Sequence, residues 1–315
     1  MIFGILAGII WALETVVLGI ALNKTVFIST PEALFLAPFI ATFLHDATSA
    51  ILMFIYNAVR GNLKSLAYVF KTPELKWLLL ASAIGGPVGM TGYVLAINYM
   101  GASVGAVASA IYPAIGTAIA FVFLRERTRW YQWLFLFFTL LGVFGLSYSP
   151  SVSIENFWLG LLGAFMCAFG WGIEAVILAK CFKSSAVKNE CALNIRQAVS
   201  ALIYGLILLP ILDGWDLTVT LFKGGAGTTL LIIAIAALCA TVSYMFYYKA
   251  ISKIGASRAM ALNITYTAWS ILFSVIILRS FSVLEPLTIV CALVIVVCGI
   301  LAATDIKKLI FKDKS

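Results

Sequence analysis

Four ionisable residues stand inside long apolar stretches of this chain: Glu14, Asp46, Glu174 and Arg196, with His45 beside Asp46. A charge at the centre of a membrane-spanning helix costs about 2.5–3.5 kcal/mol on insertion scales, so such residues face a protein interior or a watery cavity and mark substrate or ion paths. Trp11 precedes Glu14 by three positions, and Trp171 precedes Glu174 by the same spacing, which puts each pair on one face of a helix. Tyr244, Tyr247 and Tyr248 also share a face, while Tyr112, Tyr266, Trp269 and Asn263 add rings and an amide. This inventory suits a quaternary ammonium. That group has no N–H to donate, so it is held by aromatic faces, each desolvated ring contributing on the order of 1–2 kcal/mol, and by a carboxylate at some distance. The expected substrate-binding set is Trp11, Trp171, Glu174, Tyr244, Tyr247, Tyr112, Tyr266 and Asn263, with Asn263 or a tyrosine hydroxyl serving a ligand hydroxyl. Glu14, His45, Asp46 and Arg196 form the expected proton-coupling or gating set.

Each of these residues has a blander reading. A membrane tryptophan or tyrosine is often packing. His45 and Asp46 are alternatively a structural pair that orders the second helix, and neighbours on a helix diverge by about 100°, so the two need not serve one cavity. Arg196 is alternatively a buried counter-ion to Asp46 or Glu174, a pair costly to break.

Hydrophobic residues make up 63% of the 315 residues and charged ones 11%. Soluble domains carry about 25% charged residues, so this chain has too little polar surface for water and must use lipid as solvent. A bilayer core needs roughly 20 helical residues. Apolar runs of that size occupy 2–22, 33–58, 77–98, 102–124, 131–148, 157–180, 191–212, 228–251, 256–278 and 284–303. The expected fold is therefore all-α and polytopic, with ten transmembrane helices. The first run is long and carries Glu14, which argues against a cleaved signal peptide.

The net charge of +8 sits in short gaps between these runs, as cytoplasmic anchors do, and not in a nucleic-acid-binding patch. Lysines and arginines crowd the gaps after the second, fourth, sixth and eighth helices and the tail, whereas the opposite gaps hold only Lys24, Lys223 and Arg279. Both termini are therefore expected in the cytoplasm. Trp77, Trp130, Trp133 and Trp158 lie near helix ends and read as interfacial belt residues.

The halves repeat. Residues 4–18 resemble 164–178, aligning Trp11 with Trp171 and Glu14 with Glu174. The segment from Tyr93 resembles that from Tyr247, aligning Gly101 with Gly255, Ser103 with Ser257, Tyr112 with Tyr266 and Arg125 with Arg279. An odd number of helices per repeat inverts the second copy, and inverted repeats place a transported ligand at their interface near the membrane midplane. The expected units are a first repeat at 1–150, a second at 151–305 and a basic tail at 306–315. "GGPVGMTG" at 85–92 and Pro113 interrupt the third and fourth helices, as hinge and site lining or as close packing.

These halves resemble EamA-type units of the drug/metabolite transporter superfamily. Short stretches are similar to the Lic-type choline permeases: "HD" at 45–46, "GGPVGM" at 85–90, "SAIYPAI" at 109–115, "WGIEAV" at 171–176, "IRQ" at 195–197, "SYMFYYKAI" at 243–251 and "LNITYTAW" at 262–269. Glu14 departs from the small residue expected there in that group. The resemblance implies choline uptake by alternating access in a bacterial cytoplasmic membrane, with protons as a coupling partner. The rival within the superfamily is an exporter of lipophilic cations, drugs or amino acids; a membrane enzyme or passive assembly partner is a distant third.

A Walker-type loop, a zinc-ligand spacing and a nucleophile–base pair are all lacking, and the chain has one histidine. No metal, cofactor or enzymatic activity is expected. The six cysteines form no Cys-x-x-Cys pair and read as reduced, small apolar residues.

Overall fold

The computed structural model describes residues 1–100, 102–147, 156–184 and 186–305. Gly101, the junction expected between the repeats at 150–151 and the tail 306–315 lie outside the described residues.

Among the described residues ten helices are long and apolar enough to cross a membrane: α1 Ile2–Leu22, α2 Pro31–Val59, α3 Leu75–Met100, α4 Val107–Leu124, α5 Trp130–Ser147, α6 Phe157–Cys181, α7 Asn189–Ile211, α8 Gly227–Ile254, α9 Ala256–Leu278 and α10 Pro286–Ala303. Helices answer the demand of lipid that every backbone N–H and C=O find a partner within the segment. Trp130 and Trp158, each 76% exposed, stand at helix ends. Trp77 lies under the Lys180 ammonium at 4.2 Å. Among the described residues all six cysteines are free, with Cys239 and Cys298 only half-buried and the rest buried.

The helices pair across the repeats. Helix α1 packs on α8 and on the second half of α9, and α6 packs on α3 and on the second half of α4. Helices α2 and α7 pack together, as do α5 and α10. Exchanging each helix for its counterpart five places along turns this set of pairs into itself, and five crossings reverse the direction of the second copy. The α3–α6 crossing is close because Gly92 and Gly163 meet there; a Cβ on Gly92 would lie 2.5 Å from the Gly163 carbonyl.

The fourth helices of the two repeats also agree in their irregularities. The strand of helix leading into α4, Ala102–Ser109, stops at a turn, and a second helix begins at Tyr112. In α9 the first half, Ala256–Asn263, stops at the same place, and the second half begins at Tyr266. Both fourth helices end on an arginine in the left-handed region, Arg125 at φ 55° and Arg279 at φ 53°. Pro113 thus follows the break in α4 without being needed for it, since α9 breaks at the corresponding place without a proline. "GGPVGM" does not interrupt α3. It forms one wider π-helical turn, Ile84–Val88, which absorbs Pro87 while the helix continues.

Candidate functional site: a charged relay beside an aromatic cage

Five buried ionisable side chains from four helices form one chain of contacts. At its centre Arg196 of α7 donates from Nη1 to Asp46 Oδ2 of α2 at 3.2 Å and from Nε to Glu174 Oε1 of α6 at 3.2 Å. It also donates to Gln197 Oε1 at 2.7 Å and to the Tyr244 hydroxyl at 3.3 Å. Its guanidinium carbon lies 4.9 Å from the Tyr244 ring centroid. Asp46 Oδ1 meets His45 Nδ1 at 2.9 Å, and His45 Nε2 faces Glu14 Oε1 of α1 at 3.7 Å. At the other end the Tyr248 hydroxyl donates to Glu174 at 3.3 Å. A planar guanidinium suits this position because its fixed fork of donors satisfies two carboxylates at once.

Arg196 therefore holds both acids that the sequence offered as its partners. Glu174, expected among the substrate-binding residues, has its carboxylate bonded to Arg196 and Tyr248. The acid without a guanidinium is Glu14, whose neighbours are His45 and the Thr15 hydroxyl at 3.4 Å. His45 and Asp46 do serve one cavity, despite their angular separation, because His45 turns back onto Asp46 between α1 and α7.

The rings stand beside this relay. Trp11 meets Tyr244 edge-on at 4.9 Å and Tyr266 at 6.5 Å. Trp171 lies between Tyr93 at 5.7 Å and Tyr112 at 5.5 Å, the latter perpendicular to it. Tyr112 accepts a hydrogen bond from Asn263 Nδ2 at 3.1 Å, bridging the breaks of α4 and α9. Trp171 is fixed by the π-helical turn of α3. There the Gly89 N–H bonds to the Ile84 and Gly86 carbonyls, leaving the Gly85 carbonyl to accept the Trp171 indole N–H at 3.1 Å. A Cβ at Gly85 would overlap the Glu174 carboxylate, and one at Gly89 would stand 2.8 Å from the Trp171 ring.

Two adjoining cavities result. A small one of about 50 Å³ is lined by all eight residues expected to bind substrate: Trp11, Tyr112, Trp171, Glu174, Tyr244, Tyr247, Asn263 and Tyr266. A larger one of about 410 Å³ shares Trp11, Trp171, Tyr244 and Tyr266 and adds Glu14, His45, Asp46 and Arg196. Tyr248 sits behind Tyr244, fully buried on Glu174. Trp269 lines neither cavity, and its indole N–H finds no partner among the described residues.

Sequence reasoning passed over Tyr93, which lines the larger cavity and stacks on Trp171. The repeat alignment contained the signal, since Tyr93 corresponds to Tyr247. A second correspondence was also missed. "LHDATSA" at 44–50 parallels "IRQAVSA" at 195–201, pairing His45 with Arg196 and Asp46 with Gln197. Two of the four acid–base contacts of the relay are thus one contact made twice: Glu14–His45 in the first repeat and Glu174–Arg196 in the second.

The comparisons agree with this architecture. Residues 1–148 and 158–304 each match the EamA-like transporter family. Protein LicB of Haemophilus influenzae is 28% identical over 274 residues, covering 86% of each chain. A crystal structure of a protein with 19% identity superposes with a TM-score of 0.66 over 96% of both chains, a likeness of fold. This multi-pass membrane protein belongs to the EamA-like transporter family and is a drug/metabolite transporter superfamily member resembling LicB.

Proposed function

We propose that this transporter takes up choline by alternating access, inward across a bacterial cytoplasmic membrane. The observation that carries the reading is the convergence of Trp11, Trp171, Tyr112, Tyr244, Tyr247 and Tyr266 on one small cavity beside a carboxylate. Three or four well-placed rings and one acid support micromolar binding, about 8 kcal/mol, after ordering costs. The Asn263–Tyr112 pair offers a donor and an acceptor for the single hydroxyl of choline.

Charge arithmetic supports a cationic substrate. Glu14, Asp46 and Glu174 meet one guanidinium, Arg196, and one imidazole, His45. With all three carboxylates ionised the cluster carries one excess negative charge even with His45 protonated, and buried charge without a counter-charge is costly. An arriving cation or an additional proton offsets the excess, and the two are alternatives. Choline binding therefore weakens as pH falls, and Glu14→Gln lowers the affinity and flattens that pH dependence. The membrane potential alone supplies about 2.3 kcal/mol per 100 mV to an inward-moving cation, so uptake does not require proton coupling.

The test is saturable uptake of radiolabelled choline into proteoliposomes, together with thermal shifts from ethanolamine through its N-methyl derivatives to choline. Affinity rising with each methyl group is expected. A flat series with no saturable uptake removes the reading.

A further inference from the structure

The larger cavity has two ends of opposite chemistry: at one it shares Trp11, Trp171, Tyr244 and Tyr266 with the small cavity proposed for choline, and at the other it is apolar. Glu14, Leu18 and Leu22 follow one another at four-residue spacing on α1, and all three line it. They share a helix face, so the wall rises from the carboxylate by about 6 Å at Leu18 and about 12 Å at Leu22. On α3 the order is the same: Tyr93 stands at the cage, and Val94 and Ile97 continue the wall away from it. The cavity reaches the surface beside Asn98, which is exposed. An apolar shaft therefore stands on top of a cation site. A hydroxyethyl group does not need that shaft, but a straight hydrocarbon chain matches it.

We propose that the site binds quaternary ammonium amphiphiles, with the trimethylammonium head in the aromatic cage and an alkyl chain along Leu18, Leu22, Val94 and Ile97, and that such compounds block transport. The head placement rests on the cage reading above, while the tail placement rests on the shaft alone. Block follows from alternating access, because the shaft must close before the opposite side opens and an alkyl chain occupies the space into which its walls would move.

The experiment measures thermal shifts of the protein in lipid nanodiscs with trimethylammonium salts carrying methyl, butyl, hexyl and octyl chains. Each added methylene buried in the shaft tightens binding by about fourfold. Leu22→Gln reduces this chain-length dependence, and so does Val94→Thr, a nearly isosteric change that keeps the protein folded if the first variant is unstable. In proteoliposomes the octyl compound inhibits cation uptake and is not itself accumulated. Equal affinities along the series overturn the proposal. So does a chain-length dependence that both variants retain, which would mean that the chain dissolves in lipid. Accumulation of the octyl compound overturns the block. The two readings fail separately. Choline binding with a flat chain-length series sinks the shaft and leaves the cage. Variant-sensitive binding of the octyl compound, with no response to choline or tetramethylammonium, keeps the shaft and sinks choline.

Discussion

Arg196 is bonded to two carboxylates, an amide and a phenol at once, so its removal leaves more than one group stranded. Breaking a buried pair by deleting one partner costs about 3–5 kcal/mol, because the remaining charge has no solvent. Arg196→Met should lower the melting temperature sharply, and adding Glu174→Gln should recover part of the loss; a thermal melt of the purified variants checks both. Arg196→Lys keeps the charge but loses the fork that spans Asp46 and Glu174. Trp171 has a different role. Its ring is oriented by the Gly85 carbonyl and flanked by Tyr93 and Tyr112, so it is held ready before a ligand arrives. Trp171→Ala should weaken choline binding about tenfold, the equivalent of one cation–π contact, with Trp171→Phe intermediate. Equal binding by all three proteins would remove this ring from the site.

At the level of elements, the π-helical turn in α3 and the two broken helices place the side chains. The turn frees one carbonyl for Trp171, and its glycines leave room for Glu174 and the indole. Gly85→Ala and Gly89→Ala should each reduce both choline affinity and thermal stability, since the added methyl meets Glu174 or Trp171, each held by partners on two other helices. Gly227→Ala is the control. Its Cβ meets nothing within 4 Å, and alanine favours a helix by up to about 1 kcal/mol, so stability should hold or rise. A loss at all three positions would point to general intolerance and away from the turn. The start of α9 is supported from the other repeat. Glu126, just beyond α4, accepts from the Ala256 and Ser257 N–H groups at 2.9 and 3.1 Å and from the Ser257 hydroxyl at 2.8 Å, satisfying donors at the start of α9.

For the molecule as a whole, the packing of α1 on α8 and α6 on α3 means that neither repeat forms a core without the other. The two cavities lie where the two copies interlock, with Glu14 and Glu174, Trp11 and Trp171, Tyr93 and Tyr247, and Tyr112 and Tyr266 supplied in corresponding pairs. The distribution of lysine and arginine predicts which face meets the cytoplasm. A cysteine placed at Lys223 should react with a membrane-impermeant maleimide in intact cells, and one at Arg60 only after permeabilisation. The reverse pattern would invert the orientation.

Helix number and the repeat were legible from local information, because lipid allows only long apolar helices and a duplication leaves its mark on the residues. Ionisable side chains within those helices identified themselves by their insertion cost. The partners of these residues could not be read in the same way. That Arg196 takes both Asp46 and Glu174, leaving Glu14 to His45, depends on how α1, α2, α6 and α7 approach one another across about 180 positions of chain. The break in α9 left no proline to announce it, and the "GGPVGM" turn looked like an interruption when it is a continuation. Patterning along a chain reports what a side chain is and which face it occupies. Contact between faces is set by close packing of helices far apart in sequence, and only the folded arrangement contains it.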